Sequence, residues 1–313
     1  MLATILTPIM PQKKTDYLLF CLLATFWGGS FVAVKFVVRD FPPVFGAALR
    51  VATALLTLSA IFKYERHSLR APFNLRWRMW VAGLFAQGLP FSLLFWGERL
   101  ISPGLAGIIN GTVPIWTFLL GLFPAGMESL SARKFFGLFL GLAGVAVIFR
   151  PLIFFGGTRG ELLGTLAVFL MAVSYAVGSL MSRALLSGRA RADFRANLFH
   201  QHCGSLVFLV VVSTAAESWP EPRLMFESKA ALAAIVYLGL FSTALAWFIY
   251  YHLIREWGAV RATTVTYVAP VIALFWDFVF FDNVPRLSES FGVLAILSGV
   301  ILLHSSGGVR AAG

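Results

Sequence analysis

Apolar stretches of about 20 residues recur along the whole chain, and each is long enough to cross a hydrocarbon core of ~30 Å. No other feature constrains the fold as much. Within lipid, only helices and closed barrels pair every main-chain N–H and C=O. Barrel strands alternate with a period of two, and these runs do not. The chain therefore reads as an all-α polytopic membrane protein. Its balance agrees: 59% of the 313 residues are hydrophobic and 12% are charged, where a soluble domain carries about 25% charged residues.

The apolar pattern predicts ten spans, at about 17–38, 43–62, 78–97, 103–123, 134–150, 160–182, 195–215, 229–252, 258–281 and 288–306. No linker between them could hold a soluble domain. The longest loops are 63–77 and 183–194, both basic, and 216–228, which is acidic. The net charge of +11 does not point to nucleic acid, because the basic residues lie in short loops rather than on one basic domain. They read instead as topology determinants. With a cytoplasmic N-terminus, 16 of the lysines and arginines fall on the cytoplasmic side and 7 on the far side. That bias fits ten spans with both termini inside. Residues 1–16 do not read as a cleaved signal peptide, since the apolar run after them is of spanning length and lacks a small-residue cleavage site. Cys21 and Cys203 both fall within spans and are expected to be reduced packing residues rather than a disulfide.

Two spans carry a proline near their middle, in Asn110-Gly-Thr-Val-Pro114-Ile-Trp116 and in Thr266-Tyr-Val-Ala-Pro270-Val-Ile272. Each proline is expected to break its helix and to free the carbonyl of the polar residue one turn earlier. In lipid such a carbonyl is tolerated only against protein or a wet cavity. The prolines therefore mark a cavity wall and candidate hinges. They lie 156 residues apart, and other matches share this offset: Gly83-Leu-Phe85 with Gly239-Leu-Phe241, Leu89 with Leu245, Ala106 with Ala262. At an offset of 148, Trp27 to Lys35 parallels Tyr175 to Arg183. The pattern predicts a duplication, with one five-helix repeat over 17–150 and another over 160–306, between a short cytoplasmic segment (1–16) and a tail (307–313). Five spans per repeat is odd, so the repeats must be inverted relative to each other, as in many secondary transporters.

These motifs resemble the EamA family of the drug/metabolite transporter superfamily. The resemblance rests on Trp27-Gly-Gly-Ser-Phe-Val-Ala-Val-Lys35, on Pro42-Pro43 and Arg50, and on the block from Pro114 through Glu128 to Gly137 and Gly144. Pro270 and the Gly292/Gly299 pair supply the corresponding block of the second repeat, and the likeness covers residues 17–306. The family commonly has a glutamate before the last span of each repeat. Glu128 supplies the first, but Asn283 stands at the second, beside Asp282. The resemblance implies a solute cavity lined by spans 1, 3, 4, 6, 8 and 9.

The residues expected to line that cavity are Trp27, Gln87, Phe91, Asn110, Tyr175, Trp247 and Tyr267. Trp27 and Trp247 lie mid-span, away from the interfacial belts where tryptophan collects. Gln87 and Asn110 carry amides that need partners in hydrocarbon. Helix 8 ends in Trp247-Phe-Ile-Tyr250-Tyr-His252, which beyond Trp247 reads as an interfacial aromatic belt. Ionisable residues inside lipid default to function or to snorkelling. Lys35 reads as snorkelling to the outer interface, or together with Arg50 as a partner of Asp277 in an outer gate or clamp. His200 and His202 point about 200° apart on a helix and cannot share one metal ion. No phosphate-cradling loop, metal cluster or mid-membrane carboxylate is evident, so no cofactor and no coupling residue is expected.

The resulting expectation is a secondary transporter, an exporter of amino acids or amphipathic metabolites, working by alternating access in the bacterial plasma membrane as a monomer or a homodimer. Its partners are a small-molecule substrate and the lipid bilayer. The cavity is expected to be aromatic and nearly uncharged, with no central arginine or lysine. Import or exchange by the same fold, a membrane-embedded enzyme, and a sensory or structural membrane protein are the rivals. An enzyme would need clustered acid, base or metal ligands at one depth, and the sequence has none.

Overall fold

The computed structural model describes residues 12–122, 132–154, 158–187 and 192–281, with scattered positions between 291 and 302. Twelve helices carry the described chain: α1 (Gln12–Asp40), α2 (Pro43–Tyr64), α3 (Phe73–Leu100), α4 (Pro103–Asn110), α5 (Val113–Leu122), α6 (Ala132–Phe154), α7 (Arg159–Ser187), α8 (Phe194–Ala216), α9 (Pro222–Glu227), α10 (Lys229–Trp257), α11 (Ala259–Thr263) and α12 (Val265–Phe281). Each of the first nine expected spans matches a helix or a helix pair. The tenth, 288–306, falls mostly outside the described residues, as do the segment 1–11, the tail 307–313, Glu128, Asp282 and Asn283. Seven of the described helical runs are long and apolar enough to cross a membrane. The surface they present is apolar as well. Leu56, Phe139, Leu166 and Val211 are all exposed, and such a surface fits hydrocarbon rather than water.

Helix boundaries follow local chemistry. Prolines open α2, α4 and α9 in the first turn, where a missing N–H costs nothing. Ser102, Asp193 and Ser228 cap α4, α8 and α10 by accepting from main-chain N–H groups. The start of α2 is closed from a distance: the Glu217 carboxylate, just past the end of α8, accepts from Val44 N at 2.9 Å and Phe45 N at 2.8 Å. It thus fills two orphan donors and sits at the positive end of the helix dipole. Gly258 separates α10 from α11 at φ 82, a conformation that disfavours any side chain.

One of the two expected proline breaks is present and the other is displaced: the helix of the fourth span ends at Asn110, the residue whose carbonyl Pro114 cannot serve. The fourth span is interrupted at Gly111-Thr112, and Pro114 lies in the first turn of α5. There its lack of an N–H is harmless, so it starts a helix rather than kinking one. In the ninth span the interruption is at Thr264, and Pro270 lies inside an unbroken α12. The threonines explain the site of the break. Thr263, Thr264 and Thr266 each donate to the carbonyl three residues back, which competes with the regular ladder and tightens the turn. Thr112 does the same to Ile109 O at 2.6 Å.

Two further irregularities were not expected. α3 contains a π turn over Leu84–Gly88, and α10 contains one over Leu240–Leu245. They start 156 residues apart, at the paired Gly-Leu-Phe motifs. π turns open the main-chain ladder and are frequent at functional sites. The packing is reciprocal in the same sense: α1 lies against α10 and α12, α7 lies against α3, α4 and α5, and α2 packs on α8.

Glu217→Ala is expected to destabilise the protein by about 1–2 kcal/mol, as loss of a cap does. A lowered melting temperature in detergent, with a smaller loss for Glu217→Gln, would be the signature.

Candidate functional site

A small cavity, with about 30 Å³ of free space, lies where α1, α2, α3, α4, α5, α7, α10 and α12 meet. Its walls are rings. Trp27 of α1 packs on Tyr250 with centroids 4.9 Å apart and on Trp247 at 5.8 Å. Trp247 also meets Tyr250 edge-on at 5.3 Å and Tyr175 of α7 at 6.3 Å. Helical spacing places Trp247 and Tyr250 on one face of α10, as i and i+3. The polar lining consists of Ser30, Asn110, Ser179 and Thr266, with Arg50.

Arg50 is the organising group. Its side chain is buried, and its guanidinium lies 3.9 Å from the centroid of the Phe91 ring. Nε donates to Thr243 Oγ1 at 2.7 Å, and Nη2 donates to the Ser242 carbonyl at 3.2 Å. Both acceptors belong to the π turn of α10. Trp27 Nε1 donates to the same carbonyl at 3.2 Å. Among the described residues, buried Nη1 of Arg50 and buried Nε1 of Trp247 make no hydrogen bond. Two residues that line the cavity thus each hold a buried donor without a partner among the described residues, one of them charged. A ligand group that accepts hydrogen bonds and carries negative charge matches those donors.

Four of the seven expected lining residues, Trp27, Asn110, Tyr175 and Trp247, do line the cavity. Phe91 supports it from beneath Arg50 and against Tyr175, at 6.3 Å between centroids. Gln87 does not reach it. The π turn carries Gln87 toward α8, where Nε2 lies 3.4 Å from His202 Nδ1 and Oε1 accepts from Ser205 Oγ at 3.4 Å. Tyr267 faces α6, packed on Gly141, with its hydroxyl donating to Leu138 O at 3.4 Å. The turn at Thr264 resets the helical phase, and Thr266 takes the lining position instead. Tyr250, expected at an interface, is buried in the cavity wall.

The expectation of a nearly uncharged cavity is corrected by Arg50. It lies within α2, buried, and a neutral carbonyl and hydroxyl hold it inward. Lys35 does not join the cavity: Nζ donates to Glu98 O at 2.6 Å and Ile101 O at 3.2 Å. It thereby closes the C-terminal carbonyls of α3, where a cation also suits the dipole. The side chain of Asp277, their expected partner, is outside the described residues.

A second polar cluster lies between α3, α7, α8 and α10. Gln201 accepts from the Tyr251 hydroxyl and donates to Asn197 Oδ1 at 3.1 Å and Ser182 Oγ at 3.2 Å. Ser205 Oγ donates to Gly83 O at 2.8 Å, at the entry to the π turn of α3. His200 Nε2 and His202 Nδ1 engage different carbonyls, Leu69 O and Leu198 O, and do not converge. Both cysteines are free.

Membrane-length helices around a buried cavity of rings define a polytopic membrane protein, and comparison with known proteins specifies it further. The chain belongs to the EamA-like transporter family, whose model matches residues 14–150 and 162–305. It is 23% identical to a probable amino-acid metabolite efflux pump of Escherichia coli (strain K12), over 93% of this chain and 95% of that one. An uncharacterized transporter of Bacillus subtilis (strain 168), YvbV, is 26% identical over 95% and 93%. One solved structure, described only as a crystal structure of a protein, superposes with a TM-score of 0.73 at 20% identity, covering 93% of this chain and 97% of that one. That likeness shows the fold alone. Family membership points to transport rather than catalysis.

Gln201→Leu is expected to strip partners from Tyr251 and Ser182, at about 1–3 kcal/mol for each buried group left unpaired. Thermal unfolding of the purified variant in detergent measures that loss, and cavity-side chemistry should be spared.

Proposed function

We propose that this protein is a secondary transporter that exports small amphipathic organic solutes, amino acids among them, by alternating access. The observation that carries this reading is the cavity in which aromatic rings surround an arginine with an unpartnered Nη1. The rings enclose an apolar body of the solute, and Arg50 takes its carboxylate, two demands that an aromatic or branched amino acid meets together. The similarity to a probable amino-acid metabolite efflux pump supports the same class and the outward direction.

The full architecture belongs to the same proposal: ten spans in two inverted five-helix repeats, both termini cytoplasmic, in the bacterial plasma membrane. Three observations support the inversion. The family model matches two segments of similar length. The π turns of α3 and α10 begin at paired motifs. The packing of α1 on α10 and α12 mirrors that of α7 on α3 and on the α4–α5 pair. The solute would exchange sides as one repeat rocks against the other around the cavity.

Solute flux in proteoliposomes across a panel of amino acids and their decarboxylated amines tests this reading. Saturable flux is expected for solutes that keep the carboxylate, and Trp247→Ala is expected to raise KM about tenfold, the equivalent of ~1.4 kcal/mol of lost ring contact. Saturable flux of the amines with no flux of the acids would overturn the assignment of Arg50. No saturable flux of any solute would overturn transport.

A further inference from the structure

Glu98 is a carboxylate that the cavity geometry does not use. It lies on α3, one turn beyond the cavity-lining Leu94, and is completely buried. Neither Oε1 nor Oε2 accepts a hydrogen bond within the described structure. Its charged neighbours are Lys35 from α1 and Arg50 from α2. Both spend donors elsewhere: Lys35 on the carbonyls of Glu98 and Ile101, Arg50 on Thr243 and Ser242. On the side of α7, adjacent Gly97 packs against Gly164 and Val168, which carry no charge. α4 has no ionisable side chain. Arg99, the next residue on α3, is exposed.

An ionised carboxylate removed from water, with no donor to any of its lone pairs, costs several kcal/mol even beside cations. A bound proton removes most of that cost. The two neighbouring cations and the buried state thus act in opposite senses on one group. Admission of water to this end of α3 shifts the balance toward the ion, and closure shifts it back. A carboxyl that exchanges its proton with water as its surroundings open and close is the element by which a carrier couples to a proton gradient.

We propose that Glu98 is the proton-carrying group of this transporter and that solute movement is linked to proton movement through it. The inference rests on the transport reading above. In each cycle a proton from water on one side binds a Glu98 carboxylate oxygen, the roof of the cavity closes over the neutral carboxyl, and the O–H bond breaks to water on the other side. No bond other than O–H forms or breaks. Lys35 also caps the main-chain carbonyl of Glu98 itself.

Infrared spectroscopy of the reconstituted protein tests the protonation without any solute. A C=O stretching band of a protonated carboxyl is expected at neutral pH in the wild type, absent from Glu98→Gln. No difference band between the two would overturn the proposal, whatever the flux results. Phenylalanine then serves as the probe for coupling. With one proton per solute, a gradient of one pH unit should sustain a phenylalanine ratio of about tenfold across the vesicle membrane. Glu98→Gln should abolish that ratio while leaving downhill flux, and Glu98→Asp, which keeps a titrating group, should retain it. Wild-type flux indifferent to the gradient, or a Glu98→Gln variant that still responds, would overturn coupling but leave transport standing. Absence of phenylalanine flux in the wild type would count against the transport reading, and the infrared band would still decide the state of Glu98.

Discussion

The carbonyl of Ser242 accepts from both Trp27 and Arg50, and the cavity depends on that junction. A polar main-chain group in hydrocarbon must find its partner within the protein. The π turn of α10 departs from the regular ladder at this point, and side chains from two other helices supply donors. α1, α2 and α10 are tied together in consequence. The same bonds hold a buried cation without an acidic partner among its hydrogen bonds, and one of its nitrogens has no partner among the described residues. Removing the π turn would return Ser242 and Thr243 to a regular helix and strand the guanidinium.

The opposite side of the protein repeats the device with different chemistry. Gln87 in the π turn of α3 meets His202 and Ser205 of α8, as Thr243 in the π turn of α10 meets Arg50 of α2. Gln87 and Thr243 are 156 residues apart. The first junction is closed by neutral groups and extends into the network around Gln201 and Tyr251, so it reads as a bearing surface. The second is charged and, among the described residues, incompletely paired, and it borders the ring-lined cavity.

Much of this was legible in the amino-acid sequence because lipid imposes a simple rule: apolar length. The seven helical runs long and apolar enough to cross a membrane, and the pairing of Gly83-Leu-Phe85 with Gly239-Leu-Phe241, are visible without coordinates. Trp27, Asn110, Tyr175 and Trp247 were legible as cavity residues because polar and amphipathic side chains far from an interface need a reason. The errors are errors of phase. A π turn adds a residue to a helix turn, so faces counted at 3.6 residues per turn drift beyond it. Gln87 was displaced from the cavity in that way. The threonine turn at 264 similarly exchanged Tyr267 for Thr266. Proline marked the break before Pro114 but not the one in the ninth span, where back-bonding threonines at 263, 264 and 266 control the chain and Pro270 lies in a continuous helix. Glu98 escaped notice because it lies near the end of its span, where carboxylates usually reach water. Only the packing of α1 and α7 around that end of α3 reveals its burial.

The central claim is that the ring-lined cavity opens to each side of the membrane in turn. The most direct measurement is thiol labelling of Ser30→Cys, a cavity position, in a background with Cys21 and Cys203 replaced by alanine. A membrane-impermeant methanethiosulfonate reagent is applied to right-side-out and to inside-out vesicles. The account predicts labelling from both sides. Labelling from one side only, or from neither, would contradict it.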